Sequence, residues 1–279
     1  MPERKVHLVT YGTPRFAHRQ FLLGLSAKVN NVVDTVTAWS PKALMQTGFP
    51  KMANDIQLTE RGSGFYSWKP FIIHRRLCEV PDGDVVFYCD VGRKYPFILL
   101  ENNTLPFQAW MDNNSQDAVP GVEIPWFGPV SAWTKRGVLS ALGMDNELIC
   151  SKPVIQASFS FWRATEETRQ FTSNWTRLCA DRQMVSDDPI DIGLPDHDDF
   201  VEHKHDQSLL TLCCYQADLK AIYVGEAPPP INDKSPDQVA SYCWATGNQK
   251  PNIYSKLVKQ AAKIIGSTEC AARRIVKFN

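Results

Sequence analysis

Two charged residues stand where apolar or aromatic segments end, in places where they could do chemistry. Asp90 closes the run Asp82-Gly-Asp-Val-Val-Phe-Tyr-Cys-Asp90-Val-Gly92, whose β-branched and aromatic residues read as a buried strand ending on one carboxylate. Upstream, Arg61-Gly-Ser-Gly-Phe-Tyr-Ser-Trp-Lys69-Pro is a glycine-rich aromatic turn that ends on a lysine at the start of a helix. A charged group at the carboxyl end of a buried parallel strand is where open α/β sheets bind ligands. A single carboxylate suits a divalent cation on a diphosphate, because the phosphates and water supply the other ligands. A lysine beside helix-start amides suits the phosphates themselves. The segment points to an enzyme that handles a nucleotide, most simply a nucleotide-sugar.

Each of these residues also has a plainer role. Asp90 could cap the turn before Gly92, and the neighbouring Arg93 and Lys94 could neutralise phosphate without a metal. Tyr66 and Trp68 could stack on a base or a sugar, or fill a core. The Gly62-x-Gly64 pair matches neither a P-loop nor a dinucleotide fingerprint. A second polar cluster, His203-Lys-His205-Asp206-Gln207, directly precedes the apolar run Ser-Leu-Leu. Asp206 is placed there either as the N-cap of a helix or in a cleft facing substrate. The His-x-His pair lacks a third clustered ligand, so zinc is not expected at it.

The elements that position these groups follow from periodicity. Lys5 to Thr10 and Val32 to Thr37 read as strands, with a helix over Arg15 to Lys28 between them. Pro41 to Phe49 reads as a short helix, Lys69 to Val80 as a longer one, and Asp84 to Cys89 as the buried strand. This order predicts a parallel, doubly wound opening. Beyond Asp90 the pattern loosens, with loops and short strands expected over 102–131 and a helix over Trp133 to Leu142. A strand follows over Val154 to Trp162, then an amphipathic helix from Thr165 to Ala180, an acidic loop over 186–200 and a helix from Asp206 to Cys214. A last helix is expected at Ile253 to Ile265 and a basic tail at 273–279. The Pro228–Pro230 run is too short to separate domains. One domain over 1–279 is expected, with a nucleotide-binding half over about 1–95 and a more irregular acceptor half over about 96–279.

Bulk properties narrow the classes. The 279 residues carry 30 Lys+Arg and 30 Asp+Glu, a formal net charge of zero, which argues against broad binding to nucleic acid. No run reaches the roughly 18 apolar residues of a membrane span, and the start lacks the apolar core of a signal peptide. None of the 8 cysteines forms a CxxC pair, and several lie inside apolar runs. Cytoplasmic residence with reduced thiols is the simplest expectation.

Taken together, three segments resemble the GT-A glycosyltransferases: Gly64-Phe-Tyr-Ser-Trp-Lys-Pro-Phe-Ile-Ile, the Asp82 to Gly92 run in the place of the family's Asp-x-Asp motif, and His205-Asp-Gln-Ser-Leu-Leu. Weaker similarity runs through Trp133-Thr-Lys-Arg and Gln156-Ala-Ser, and the match spans about residues 5 to 215. The chain also looks like small transferases of bacterial polysaccharide clusters and of large DNA viruses. The resemblance implies a single-domain α/β fold, with a Rossmann-like, mostly parallel twisted sheet flanked by helices. It implies hexosyl transfer from a UDP-linked sugar to a glycan or glycoprotein acceptor, with retention. Thr10, Tyr11 and Gly12 would hold base and ribose. Gly62, Trp68 and Lys69 would contact the nucleotide or its phosphates, and Asp206 and Gln207, beside His205, would face the donor sugar as catalytic groups. Asp90 would hold Mn²⁺ or Mg²⁺. The Asp-x-Asp signature reads Asp90-Val-Gly92, so its second carboxylate is absent, and no histidine follows 205 to serve as a late metal ligand. The rival classes are a non-catalytic nucleotide-sugar or carbohydrate binder of the same fold, and a nucleotidyltransferase. The latter would need a longer, glycine-rich basic loop than Tyr11-Gly-Thr-Pro-Arg.

Overall fold

A computed structural model describes residues 4–91 and 105–223. Strand β1 (Val6–Tyr11) is buried throughout and pairs in parallel with β2 (Thr35–Trp39) on one side and β3 (Val85–Cys89) on the other. Strands β4 (Ala118–Val119) and β7 (Phe159–Arg163) complete a five-stranded sheet in the order β2-β1-β3-β7-β4, with β7 antiparallel to both of its neighbours. A smaller sheet, in the order β6-β5-β8, joins β5 (Val122–Glu123), β6 (Ile155–Gln156) and β8 (Ile222–Tyr223).

Alternation along β3 sorts its side chains between two layers. Val85, Phe87 and Cys89 join Leu8, Leu23 and Phe161 in a core covered by helix α1 (Ala17–Val29). Val86 and Tyr88 face the other way, into the larger core under α2 (Trp68–Glu79). Helix α3 (Leu105–Asn113) adds Phe107 to the first layer, where its ring stacks on Phe161 at 4.5 Å. Helices α4 (Glu166–Ala180) and α5 (Asp206–Gln216) close the second layer. The result is a mixed α/β domain with a central sheet flanked by helices on both faces. Thr165 caps α4 in a reciprocal capping box with Thr168, as its sequence pattern implies.

Several expected elements shift. Strand β2 starts at Thr35, three residues late, because Asn31 takes a left-handed φ of 51° and the Asp34 carboxylate accepts the Val6 N–H at 2.7 Å. Val32 and Val33 are buried as turn residues instead. The Pro41 to Phe49 helix is two short ones, Pro41–Met45 and Phe49–Met52, separated at Thr47, whose hydroxyl accepts the Phe49 N–H. Part of 102–131 is helical, not irregular: α3 occupies Leu105–Asn113. The Trp133 to Leu142 helix is split into Val130–Trp133 and Arg136–Ala141, because Thr134 and Lys135 are extended. Lys135 Nζ donates to the Ser186 and Asp188 carbonyls at 2.9 and 2.5 Å. The Val154 to Trp162 strand breaks at Ala157-Ser158, so β6 and β7 belong to different sheets. Gly92, Arg93, Lys94, Pro228–Pro230, the helix at Ile253 to Ile265 and the basic tail lie outside the described residues.

Candidate active site

The sheet order makes β1 and β3 neighbours whose connections leave in opposite directions, and ligands of open α/β sheets bind at the carboxyl ends of such strands. A cleft of about 550 Å³ opens there, with Tyr11 from the end of β1 and Asp90 just past β3 in its wall. The break between β6 and β7 supplies the opposite wall: Asp90 N–H donates to the Ser158 carbonyl at 2.8 Å, and Ala157 N–H donates to Gln207 Oε1 at 3.4 Å.

The glycine-rich segment forms an uncommon turn. Gly62, Ser63, Gly64, Phe65 and Tyr66 all have left-handed φ, between 55° and 88°. Glycine tolerates this conformation, whereas each L-residue in it costs roughly 1–2 kcal/mol. A side chain at Gly62 is also excluded by space, since its Cβ would stand 2.4 Å from Tyr66 Cε2. The turn aims Trp68 at β1, where its ring stacks on Tyr11 at 3.9 Å and its Nε1 donates to the Gly62 carbonyl. Tyr11 and Ser63 hydroxyls share a 2.8 Å hydrogen bond. The stacked pair gives the cleft one aromatic wall.

Lys69, in the first turn of α2, crosses the floor. It is 4% exposed, and its Nζ lies 2.8 Å from Asp206 Oδ2, 3.7 Å from Asp90 Oδ1 and 3.1 Å from the Ala157 carbonyl that it donates to. Burial alone would lower the ammonium pKa, but Asp206 and Asp90 reverse this and raise it above the ordinary lysine value. Asp206 is 3% exposed, and burial pushes its carboxyl up to about 6 against the pull of Lys69. Both groups are therefore ionised at neutral pH. Tyr88, buried on the same strand face two residues before Asp90, donates its hydroxyl to Asp90 Oδ1. Burial, then the Asp90 charge, raises the phenol well above its ordinary value and keeps it a donor.

The rim is basic. Arg61 donates twice to Glu202 Oε2 at 3.1 Å, and Lys204 pairs with the same carboxylate while lying 4.5 Å over the Trp133 ring. Lys204 and then Arg61 hold the Glu202 carboxyl below its usual range. Arg61 also lies 4.0 Å from Asp187 Oδ2, and Arg15 adds a third cation to the lining.

No protein-family model and no curated protein matches the chain. Among solved structures the chain is similar to the galactosyltransferase LgtC in complex with donor and acceptor sugar analogs, at 14% identity over 78% of this chain and 72% of that one, with a TM-score of 0.35. It is also similar to the bifunctional glycosyltransferase WbbM in its apo structure, at 10% identity over 80% of this chain and 39% of that one, with a TM-score of 0.43. Overlaps this partial carry no argument about the site, which rests on its own geometry.

Tyr11, Gly62, Trp68, Lys69, Asp90, His205, Asp206 and Gln207 come together in the cleft wall. Thr10 and Gly12 do not reach it: both are buried beside Gln20, whose amide nitrogen donates to the Thr10 carbonyl and whose Oε1 would stand 2.9 Å from a Cβ on Gly12. The N-cap alternative for Asp206 fails, because α5 begins at Asp206 and its N-cap is His205. The two histidines hold backbone: His203 Nε2 donates to the Met184 carbonyl and His205 Nδ1 to that of Val185, each at 2.9 Å. Sequence reasoning missed Tyr88, Ser63, Arg61 and the Ala157 carbonyl. Tyr88 had a signal, being two residues from Asp90 on one strand face. The Ala157 carbonyl had none, since any residue supplies one.

The metal expected at Asp90 is partly accommodated. The Asp90 side chain is 30% exposed, but its Oδ1 is already engaged by Tyr88 and approached by the Lys69 ammonium. Asp90 can supply one ligand to a dication, and a bound diphosphate and water would have to supply the rest.

Proposed function

We propose that the protein is a glycosyltransferase that moves a hexose from a nucleotide-sugar, UDP-linked, to a glycan acceptor with retention of anomeric configuration. The observation that carries this reading is the buried Lys69, held between Asp206 and Asp90 at the floor of a cleft with an aromatic wall and a basic rim. Charge sorts the ligand. The floor holds two carboxylates against one ammonium, and the rim holds Arg15, Arg61 and Lys204 against Glu202 and Asp187. The diphosphate belongs between the rim and Asp90, the base on the Tyr11–Trp68 wall, and the sugar, with its developing positive charge, over Asp206.

What the floor residues can do supports retention. Asp206 is clamped by Lys69 and almost sealed from solvent, so it is badly placed to take a proton from an acceptor. Gln207 is uncharged and a poor nucleophile, and its Oε1 is occupied by the Ala157 N–H. Its amide nitrogen remains to orient a hydroxyl of the sugar. A front-face displacement fits best: the sugar–phosphate bond breaks as the acceptor oxygen bonds to the anomeric carbon, and the departing phosphate takes the acceptor's proton. A dication bound to Asp90 would add charge stabilisation to the leaving diphosphate.

A thermal-shift screen of nucleotide-sugars, with and without Mn²⁺, tests the reading. UDP-linked ligands at about 100 times Kd should stabilise the native state by about 2.7 kcal/mol. No shift with any nucleotide sinks the proposal. A shift without turnover favours a non-catalytic nucleotide-sugar or carbohydrate binder, and product of inverted configuration replaces the front-face mechanism by one with Asp206 as base.

A further inference from the structure

Away from the cleft, three side chains of different chemistry aim at one point. Asp145 lies just before the short helix Glu147–Cys150, Cys150 is its last residue, and His197 comes from the acidic loop before α5. His197 Nε2 lies 2.8 Å from Asp145 Oδ1 and 3.6 Å from Cys150 Sγ, and that sulfur lies 3.9 Å from the same carboxylate oxygen. A histidine that relays between a carboxylate and a thiol uses one ring nitrogen for each. Here both groups approach the same nitrogen, so the donor atoms converge instead of forming a chain.

Their spacing suits a metal. Bonds of about 2.3 Å to sulfur and about 2.0–2.2 Å to nitrogen and oxygen, at tetrahedral angles, separate the ligand atoms by about 3.4–3.6 Å. The observed separations of 2.8, 3.6 and 3.9 Å bracket that range. The other Asp145 oxygen is already fixed: Arg136 Nε donates to Oδ2 at 2.8 Å, leaving Oδ1 for an ion and orienting it as an outer-shell partner does. Arg136 first, then His197, holds the Asp145 carboxyl below its usual range, so this ligand is anionic. Burial, and then Asp145, raises the Cys150 thiol, which an ion would have to deprotonate. One thiolate, one imidazole and one carboxylate balance a dication in charge, and the sulfur favours zinc over magnesium or calcium.

We propose that Asp145, Cys150 and His197 form a zinc-binding site that pins the acidic loop to the 145–150 turn, with a fourth position open to water. The loop is already fixed nearby, where Ser131 Oγ donates to Asp199 Oδ2 at 2.6 Å, so the ligands are held close together without the ion. The site shares no residue with the cleft and stands or falls independently of the transferase reading.

Titrating chelator-treated full-length protein with Co²⁺ tests the proposal. A thiolate-to-cobalt charge-transfer band should saturate at one equivalent and be erased by zinc but not by magnesium. Cys150→Ser should abolish the band. His197→Ala, on a partly exposed loop where the fold is safe, should weaken Co²⁺ affinity at least tenfold. Cys78→Ser, at the exposed thiol beside His74, should leave the band unchanged. Absence of the band in the native protein, its survival in Cys150→Ser, or unaltered affinity in His197→Ala overturns the assignment.

Discussion

Replacing Lys69 by methionine removes the ammonium and keeps most of the side-chain volume. At an effective dielectric of 20, the 2.8 Å contact with Asp206 is worth about 6 kcal/mol of gross attraction and the 3.7 Å contact with Asp90 about 4.5 kcal/mol. Desolvating the ions offsets several kcal/mol of this for each, and the measured cost of breaking one partner out of a buried pair is about 3–5 kcal/mol. Lys69→Met should therefore lower the unfolding free energy by about 3–5 kcal/mol at pH 8. It should lose less at pH 5, where Asp206 takes up a proton and no buried charge is stranded. The double variant Lys69→Met/Asp206→Leu should regain most or all of the native stability, because an apolar replacement of a buried pair is commonly neutral or stabilising. Neither variant should bind a nucleotide-sugar. Urea unfolding at the two pH values gives the stability cycle, and calorimetric titration gives the binding. A Lys69→Met variant within about 0.5 kcal/mol of native at pH 8, or a double variant no more stable than the single one, would refute the view that Lys69 neutralises Asp206.

Other outcomes follow from the same geometry. With the Asp206 carboxyl at about 6, kcat/KM should fall below about pH 6 as it protonates, and Asp206→Asn should remove that limb along with most activity. The stability sign is opposite: the native carboxyl holds its proton to higher pH than the unfolded one, so this site's stabilisation is complete below about pH 4 and is lost as pH rises through about 6, which pH-dependent urea midpoints would show. Asp90→Ala should abolish transfer while leaving the melting temperature within a few degrees, since the side chain is partly exposed; full activity would reduce Asp90 to a turn residue. Gly62→Ala should cost at least about 1–2 kcal/mol from the left-handed backbone alone and weaken nucleotide affinity through a displaced Tyr66, measured by denaturation and titration. Chelation by EDTA should slow transfer if Asp90 holds a cation, and Mn²⁺ should restore it.

Much of the part up to β3 was legible because it obeys local rules. Strand β3 is a β-branched and aromatic run buried on both faces, and α2 and α4 carry their start signals in Pro70 and Thr165. The cleft was legible in part, because Lys69, Asp90 and Asp206 are charged residues at the ends of apolar or aromatic segments. What failed was set by long-range contacts. Val154 to Trp162 alternates like one strand, and hydrogen bonds that Ala157 and Ser158 make with Lys69, Asp90 and Gln207 break it between two sheets. Lys135 interrupts a helical pattern because carbonyls about fifty residues away need its ammonium. Thr10 and Gly12 look like site residues by position at a strand end, yet Gln20 folds over both.

Strain and charge meet at the cleft floor in a way that neither explains alone. Ser63, Phe65 and Tyr66 occupy left-handed backbone at roughly 1–2 kcal/mol each, and His205 combines a φ of 55° with a ψ of −122°, a region that disfavours side chains. The first strained segment delivers Lys69 and the second delivers Asp206, and the two meet at 2.8 Å. A fold selected for stability alone would relax both turns and fill the floor with apolar residues. Keeping two strained turns to bury one ion pair is expected where the pair acts on a ligand. The Lys69→Met/Asp206→Leu variant separates these demands: a protein that regains stability while losing ligand would show the pair to be held for chemistry, and one that loses both would make it a structural clamp.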